Sequence, residues 1–175
     1  GTIRATSQLG KESRFSFSIV LSPALTSTIT PEFSPTALPK LSQLRVLVVE
    51  DNLINQMVIS GLLRKLGITP RITSSGAEAL DVVRESHHEL DVILMDCEMP
   101  IMDGYQATRA IRLLEQHLNQ KPLPIIALTA HALPEHREAC FAAGMTGYLS
   151  KPLTLSALTS MLSAYLPADS MAASH

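Results

Sequence analysis

Asp91-Val92-Ile93-Leu94-Met95-Asp96 is an apolar run that stops at a carboxylate. Upstream, Arg45-Val46-Leu47-Val48-Val49 stops the same way, at Glu50-Asp51. Continuous runs rich in β-branched residues mark strands buried on both faces of a parallel sheet. Open sheets of that kind bind ligands just beyond the carboxyl ends of their strands. A third run, Pro124-Ile125-Ile126-Ala127-Leu128, ends in Thr129-Ala130, and a fourth segment, Gly147-Tyr148-Leu149-Ser150, ends in Lys151-Pro152. An acid pair, a lone Asp, a hydroxyl and a lysine thus fall at one sheet edge. Three acids there would repel one another unless a divalent cation sat among them, so the edge reads as a phosphoryl-handling site.

The intervening segments are helical in pattern. A helix near 53–66 carries Ile54, Val58 and Leu62 on one face and meets a stop at Gly67. A short strand at about 69–73 precedes a helix from Ala77 to Arg84. The strand ending at Met95 leads through a loop at Pro100 to a helix from about Tyr105 to Glu115, opened by an Asp103-Gly104 turn in which Gly104 is structural. The strand at 124–129 precedes a helix near 134–143, stopped by Gly144. After the strand at 147–150, Leu155, Leu158, Leu162 and Tyr165 recur at helical spacing. Five strands, each followed by a helix, predict an α/β fold: a doubly wound five-stranded parallel sheet with helices on both faces. The order 2-1-3-4-5 suits that count and brings Glu50-Asp51, Asp96 and Thr129 together at the switch point.

Composition bounds the rest. A chain of 175 residues suits one domain with extensions. It is 46% hydrophobic, yet no apolar stretch is long enough to cross a bilayer. A net charge of −2 and the lack of a basic stripe argue against a nucleic-acid surface. Cys97 and Cys140 form no CxxC, so reduced thiols are the simplest reading. Opening at Gly1-Thr2-Ile3, without an initiator Met or a signal peptide, the sequence reads as a piece of a longer protein. Residues 23–43, with Pro23, Pro31, Pro35 and Pro39, read as a semi-stiff linker. In residues 1–22, Gly1–Ser7 and the alternating Arg14–Leu21 read as strands about a Gly10–Ser13 turn, the second half-buried. Residues 44–167 form the main domain, and 168–175 a frayed, flexible tail.

The motifs carry a resemblance. Val48-Val49-Glu50-Asp51-Asn52, the stretch Met95-Asp96-Cys97-Glu98-Met99-Pro100-Ile101-Met102-Asp103-Gly104, Ala127-Leu128-Thr129-Ala130-His131-Ala132 and Gly147-Tyr148-Leu149-Ser150-Lys151-Pro152 resemble the receiver (response-regulator) domain of two-component signalling. Their local wording is similar to receivers of hybrid sensor histidine kinases. Residues 1–22 resemble the closing strands of a histidine-kinase ATP-binding domain.

The resemblance implies a flavodoxin-like receiver fold and a phosphorelay module with Asp96 as phosphoacceptor. It implies Mg²⁺, replaceable by Mn²⁺, on Asp51, Asp96 and the main-chain carbonyl of Glu98, with Glu50 acting through water. Lys151 would pair with a phosphoryl oxygen, Thr129 would donate its hydroxyl to another, and the backbone N–H of Ala130 would join it. Thr129 and Tyr148 match the family's switch pair, and Lys151-Pro152 its cis peptide. Glu98 and His131 flank the path of an attacking water and would tune the lifetime of the phosphate. The implied partners are a histidine-kinase dimerisation domain carrying phosphohistidine and a histidine phosphotransfer domain. No contact with nucleic acid or membrane is expected of this chain. It would sit in the cytoplasm, with its parent anchored in a bacterial inner membrane. The kinase's dimerisation helices and nucleotide pocket are not in this sequence. The expected chemistry is therefore limited to its own aspartyl phosphorylation and dephosphorylation.

Two other readings compete. A pseudo-receiver would dock partners with an idle site, but the acid, hydroxyl and lysine set is complete. A hydrolase of the haloacid-dehalogenase type needs a second Asp two positions after the nucleophile, where Glu98 stands. Three features read as decoys. Ser86-His87-His88-Glu89-Leu90 resembles a kinase phosphoacceptor box but runs into a strand, which makes these loop histidines. His131, His136 and Cys140 lack a fourth metal ligand and read as a solvated helix face. Cys97 points away from Asp96 by strand geometry and reads as packing.

Overall fold

The computed structural model describes residues 2–8, 10, 12–18, 41–130 and 134–166. The expectations for His131 and for the tail at 168–175 lie outside those residues, as does most of the linker. The chain divides into two units, Gly1–Thr36 and Ala37–His175.

In the first unit, β1 (Thr2–Gln8) pairs antiparallel with β2 (Glu12–Ser18), across a turn where Gly10 takes φ +76°. The register sets Ile3 against Phe17 and Ala5 against Phe15. One face of the hairpin is therefore apolar, as strand alternation requires. The expectation of half-burial is not met: every residue of both strands is exposed.

The second unit is the doubly wound sheet. Its strands are β3 (Val46–Val49), β4 (Arg71–Thr73), β5 (Val92–Asp96), β6 (Ile125–Thr129) and β7 (Gly147–Ser150), all parallel in the order β4-β3-β5-β6-β7. Within this unit that is the expected 2-1-3-4-5. Between and after the strands run α1 (Leu53–Lys65), α2 (Gly76–Ser86), α3 (Gly104–His117), α4 (Pro134–Ala142) and α5 (Leu155–Ser163). Strand alternation deals the core to two faces. Leu47, Val49, Ile93, Met95, Ile125 and Ala127 pack with α2, α3 and α4, while Val46, Val48, Val92, Leu94, Ile126 and Leu128 pack with α1 and α5. Burial on both faces is what allowed these strands to be continuously apolar.

Side-chain caps fix where the helices start. Asn52 accepts from the amides of Ile54 and Asn55, Ser75 from Glu78, Asp103 from Gln106 and Thr154 from Ala157. Each such cap contributes about 1 kcal/mol. Gly67 (φ +79°) and Gly144 (φ +97°) take the left-handed conformation that ends α1 and α4.

The structure shows which face of α1 is buried and corrects one boundary. The buried face of α1 is Gln56, Ile59, Ser60 and Leu63, whereas Ile54 is 71% exposed and Val58 51%. The helix is rotated so that Gln56 Nε2 donates to the Glu50 carbonyl at 2.6 Å and to Ser74 Oγ at 3.2 Å. A buried polar side chain with two good partners overrides the apolar count. The linker also ends earlier than 43, because Leu41 and Leu44 are buried in the α1/α5 core and Leu41–Gln43 forms a 3₁₀ turn against it.

Candidate functional site

The registers carry the site residues to one row. Val49 pairs with Met95, Asp96 with Leu128 and Thr129 with Ser150, so the chain leaves three adjacent strands at Glu50, Asp96 and Thr129, and leaves β7 at Lys151. The amide of Cys97 donates to Leu128 O at 3.0 Å and that of Lys151 to Thr129 O at 2.8 Å, which extends the ladder past the strand ends. The Lys151–Pro152 peptide is cis.

Among the described residues, Glu50, Asp51 and Asp96 bring carboxylate oxygens within 4.8 Å of one another. Lys151 Nζ bonds Glu50 Oε2 at 2.8 Å and Asp96 Oδ2 at 2.9 Å. The other Asp96 oxygen accepts from the Glu98 amide at 3.2 Å. Glu50 is fully buried and Asp51 exposed. These residues, with Asn52, Asn55, Glu98 and Ala130, line a cleft of about 320 Å³. Thr129 is buried at the end of β6, next in the chain to the cleft-lining Ala130, and Tyr148 is half-buried on β7.

Lys151 bonds two of the three clustered acids, and the titration directions of Lys151 and Asp96 have distinct causes. Burial pushes the Asp96 carboxyl up; the Lys151 ammonium and the Glu98 amide pull it back, and Glu50 adds to the rise. For Lys151 burial is the largest single effect and pulls down, yet bonds to Glu50 and Asp96 together outweigh it and hold the ammonium above its ordinary value. The raised Lys151 follows from the acids it bonds and the raised Asp96 chiefly from burial, with Glu50 adding to it. A cation among the carboxylates would offset both the burial cost and the repulsion. A hard divalent ion suits the donors: carboxylate and carbonyl oxygens on a cleft open at Asp51.

Asn55 is a site residue that sequence reasoning missed: its Nδ2 donates to Glu50 Oε1 at 2.8 Å and holds that carboxylate from the first turn of α1. The signal was its place three residues after the cap Asn52. Two decoys also resolve. Cys140 is buried, which corrects the solvated-face reading for that residue. Cys97 lies in the core with Cys140 and Tyr105, and burial first, then Cys140, pushes its thiol up to about 12, so it is packing.

Fold and site together define a phosphoryl-handling α/β module. Over residues 46–163 the chain matches the response regulator receiver domain, and it belongs to that family. It is 37% identical over 158 residues to histidine kinase 5 of Arabidopsis thaliana, a match covering 77% of this chain and 17% of that protein. It is 41% identical over 116 residues to hybrid signal transduction histidine kinase E of Dictyostelium discoideum, covering 66% of this chain and 7% of that one. The chain thus spans a small part of the curated relatives it matches. Similar proteins come from a plant, an amoeba and a fission yeast, so a specifically bacterial origin is not supported.

Two solved structures are similar to this chain over most of its length. One is the Ssk1 receiver domain of Saccharomyces cerevisiae, crystallised with the histidine phosphotransfer protein Ypd1: TM-score 0.66, 32% identity, 70% of this chain and 88% of that one. The other is the receiver domain of sensor histidine kinase PA1611 from Pseudomonas aeruginosa, with a magnesium ion in its active-site cleft: TM-score 0.61, 43% identity, 70% and 96%.

Proposed function

We propose that this chain is a phosphorelay station in which Asp96 accepts a phosphoryl group from a phosphohistidine and passes it to a histidine phosphotransfer domain. The carrying observation is the cleft where Lys151 bonds both Glu50 and Asp96 while Asp51 stands open beside them. An Asp96 oxygen forms a bond to phosphorus as the P–N bond breaks, and the imidazole leaves neutral after taking up a proton. Lys151 then moves its hydrogen bond from the carboxylate to a phosphoryl oxygen, and the Thr129 hydroxyl and Ala130 amide serve another. The carboxylates of Asp51 and Asp96 and the carbonyl of Glu98 would hold Mg²⁺ or Mn²⁺, with Glu50 through water, and the bound cation would offset the phosphoryl charge. Thr129 and Tyr148 report the modification, and Glu98, with His131, sets its lifetime.

The docking surface we assign begins at the cleft. Leu53, Ile54, Met57 and Val58 form an exposed apolar face on α1, and Ile101, in the left-handed region at φ +69°, is wholly exposed on the loop after β5. An apolar cleft of about 440 Å³ between α1 and Lys151-Pro152-Leu153 joins face to site. Contiguous exposed apolar patches rimmed by polar groups mark partner surfaces. The similar Ssk1 receiver was crystallised with such a phosphotransfer protein. The donor is a histidine-kinase dimerisation domain of the parent protein, and the apolar face of the β1–β2 hairpin is covered there by the kinase's ATP-binding domain. We place the module on the cytoplasmic side of the membrane that anchors its parent. Among the described residues no helix is long and apolar enough to cross a membrane.

The reading is tested by transfer from a phosphorylated phosphotransfer protein to the chain. Met57→Glu should slow transfer at least about tenfold, a loss on the scale of one interface hot spot, while small-molecule labelling of Asp96 is unchanged. Equal slowing of both reactions would contradict the assigned surface.

A further inference from the structure

The Arg137 guanidinium carbon lies 5.6 Å from the Tyr148 ring centroid and 6.0 Å from that of Phe141. Arg137 and Phe141 are four residues apart on α4 and share a face of it. Tyr148 stands opposite on β7, paired with Ala127, and its half-buried ring packs on the core beneath α2, α3 and α4. Phe141 is 45% exposed, so the cation caps two aromatic rings at the border of core and water. A guanidinium over a ring face is attracted by the ring's quadrupole, and its plane stacks as an ammonium cannot. The helix carrying it is lightly anchored, with Cys140 its one buried residue among those described. The Arg137 contact is one tie between α4 and the Tyr148 ring.

We propose that Arg137 is a positioning residue for Tyr148. It holds the ring in one rotamer against α4 and so sets how readily the ring moves when Asp96 is modified. The second half of this rests on the phosphoacceptor reading. The held arrangement is the one in which Lys151 bonds Glu50 and Asp96 directly, so weakening the hold should ease the change to the modified state.

The test measures Tyr148 χ1 populations by NMR three-bond couplings, and titrates beryllium fluoride with Mg²⁺ as a mimic of the aspartyl phosphate. Arg137→Met keeps the length and apolar stem but removes the cation, and Arg137→Lys keeps the charge without the plane. Wild type should show one dominant χ1 rotamer. Arg137→Met should populate a second one in metal-free protein, and should half-saturate with beryllium fluoride at a concentration about two- to fivefold lower, the size of one exposed cation–π contact. Arg137→Lys should fall between. Tyr165 couplings, unchanged in every variant, check that the fold persists. A single unchanged Tyr148 rotamer in Arg137→Met overturns the proposal, and so does an unchanged affinity where wild type responds. If wild type shows no response to beryllium fluoride, the phosphoacceptor reading fails, and the metal-free rotamer comparison still decides the role of Arg137.

Discussion

Gly104, the first residue of α3, is pressed so closely against Asp96 that a methyl group on its Cα would overlap the Asp96 carbonyl oxygen, while its amide donates to Cys97 O at 3.1 Å. The atoms in the way are backbone, so no side chain can swing aside. Gly104→Ala should destabilise the fold by about 1–3 kcal/mol, as overpacking does. It should also slow Asp96 labelling by displacing the strand end. Denaturant unfolding checks the first effect and acetyl phosphate labelling the second; wild-type values in both would show that the contact relaxes freely.

Lys151 competes with any cation for the acids, since its Nζ is 2.9 Å from Asp96. Lys151→Met should tighten Mg²⁺ binding by at least about threefold, because it removes a like charge from the partly screened site. The same change leaves two buried carboxylates without their ammonium. Metal-free thermal stability should therefore fall, and saturating Mg²⁺ should restore much of it. Calorimetric titration of both proteins is the check, and weaker Mg²⁺ binding in the variant would contradict this electrostatic account.

Asp91 gives a pH signature remote from the site. Arg45 reaches it with Nε at 3.1 Å, a terminal nitrogen at 2.7 Å and its own amide at 2.8 Å. The Arg45 side-chain hydrogen bond, outweighing burial, holds the Asp91 carboxyl below its ordinary value. A depressed folded-state value means the stabilisation is fully present above the unfolded value and is lost as pH falls through the folded one. Arg45 is half exposed, so screening limits the contribution to about 1 kcal/mol. Asp91→Asn should cost that much at pH 7, and the gap to wild type should shrink below about pH 4. A gap that is constant with pH would mean the carboxylate's charge is not what matters.

The fold was legible wherever burial was two-sided. Val46–Val49, Val92–Asp96 and Ile125–Thr129 could only be interior strands, and their polar ends located the site. Which face of helix α1 is buried was not legible, because Gln56 sits on it and its partner, the Glu50 carbonyl, belongs to the preceding strand end. The periodicity of Ile54, Val58 and Leu62 was real; much of it faces outward. Leu41 was taken for linker because prolines precede it, and nothing local shows that it reaches the α1/α5 core. Asn55 and Arg137 act through side chains from other elements, which spacing along the chain does not reveal.

The central claim is that Asp96 is the phosphoacceptor of this cleft. The most direct measurement is mass spectrometry of the protein after acetyl phosphate and Mg²⁺, with the adduct located by peptide mapping. The account predicts one phosphoryl group on Asp96, absent after chelation of the metal and absent in Asp96→Asn, whose fold is retained. A phosphoryl group found elsewhere, or labelling of Asp96→Asn to the wild-type extent, would contradict it.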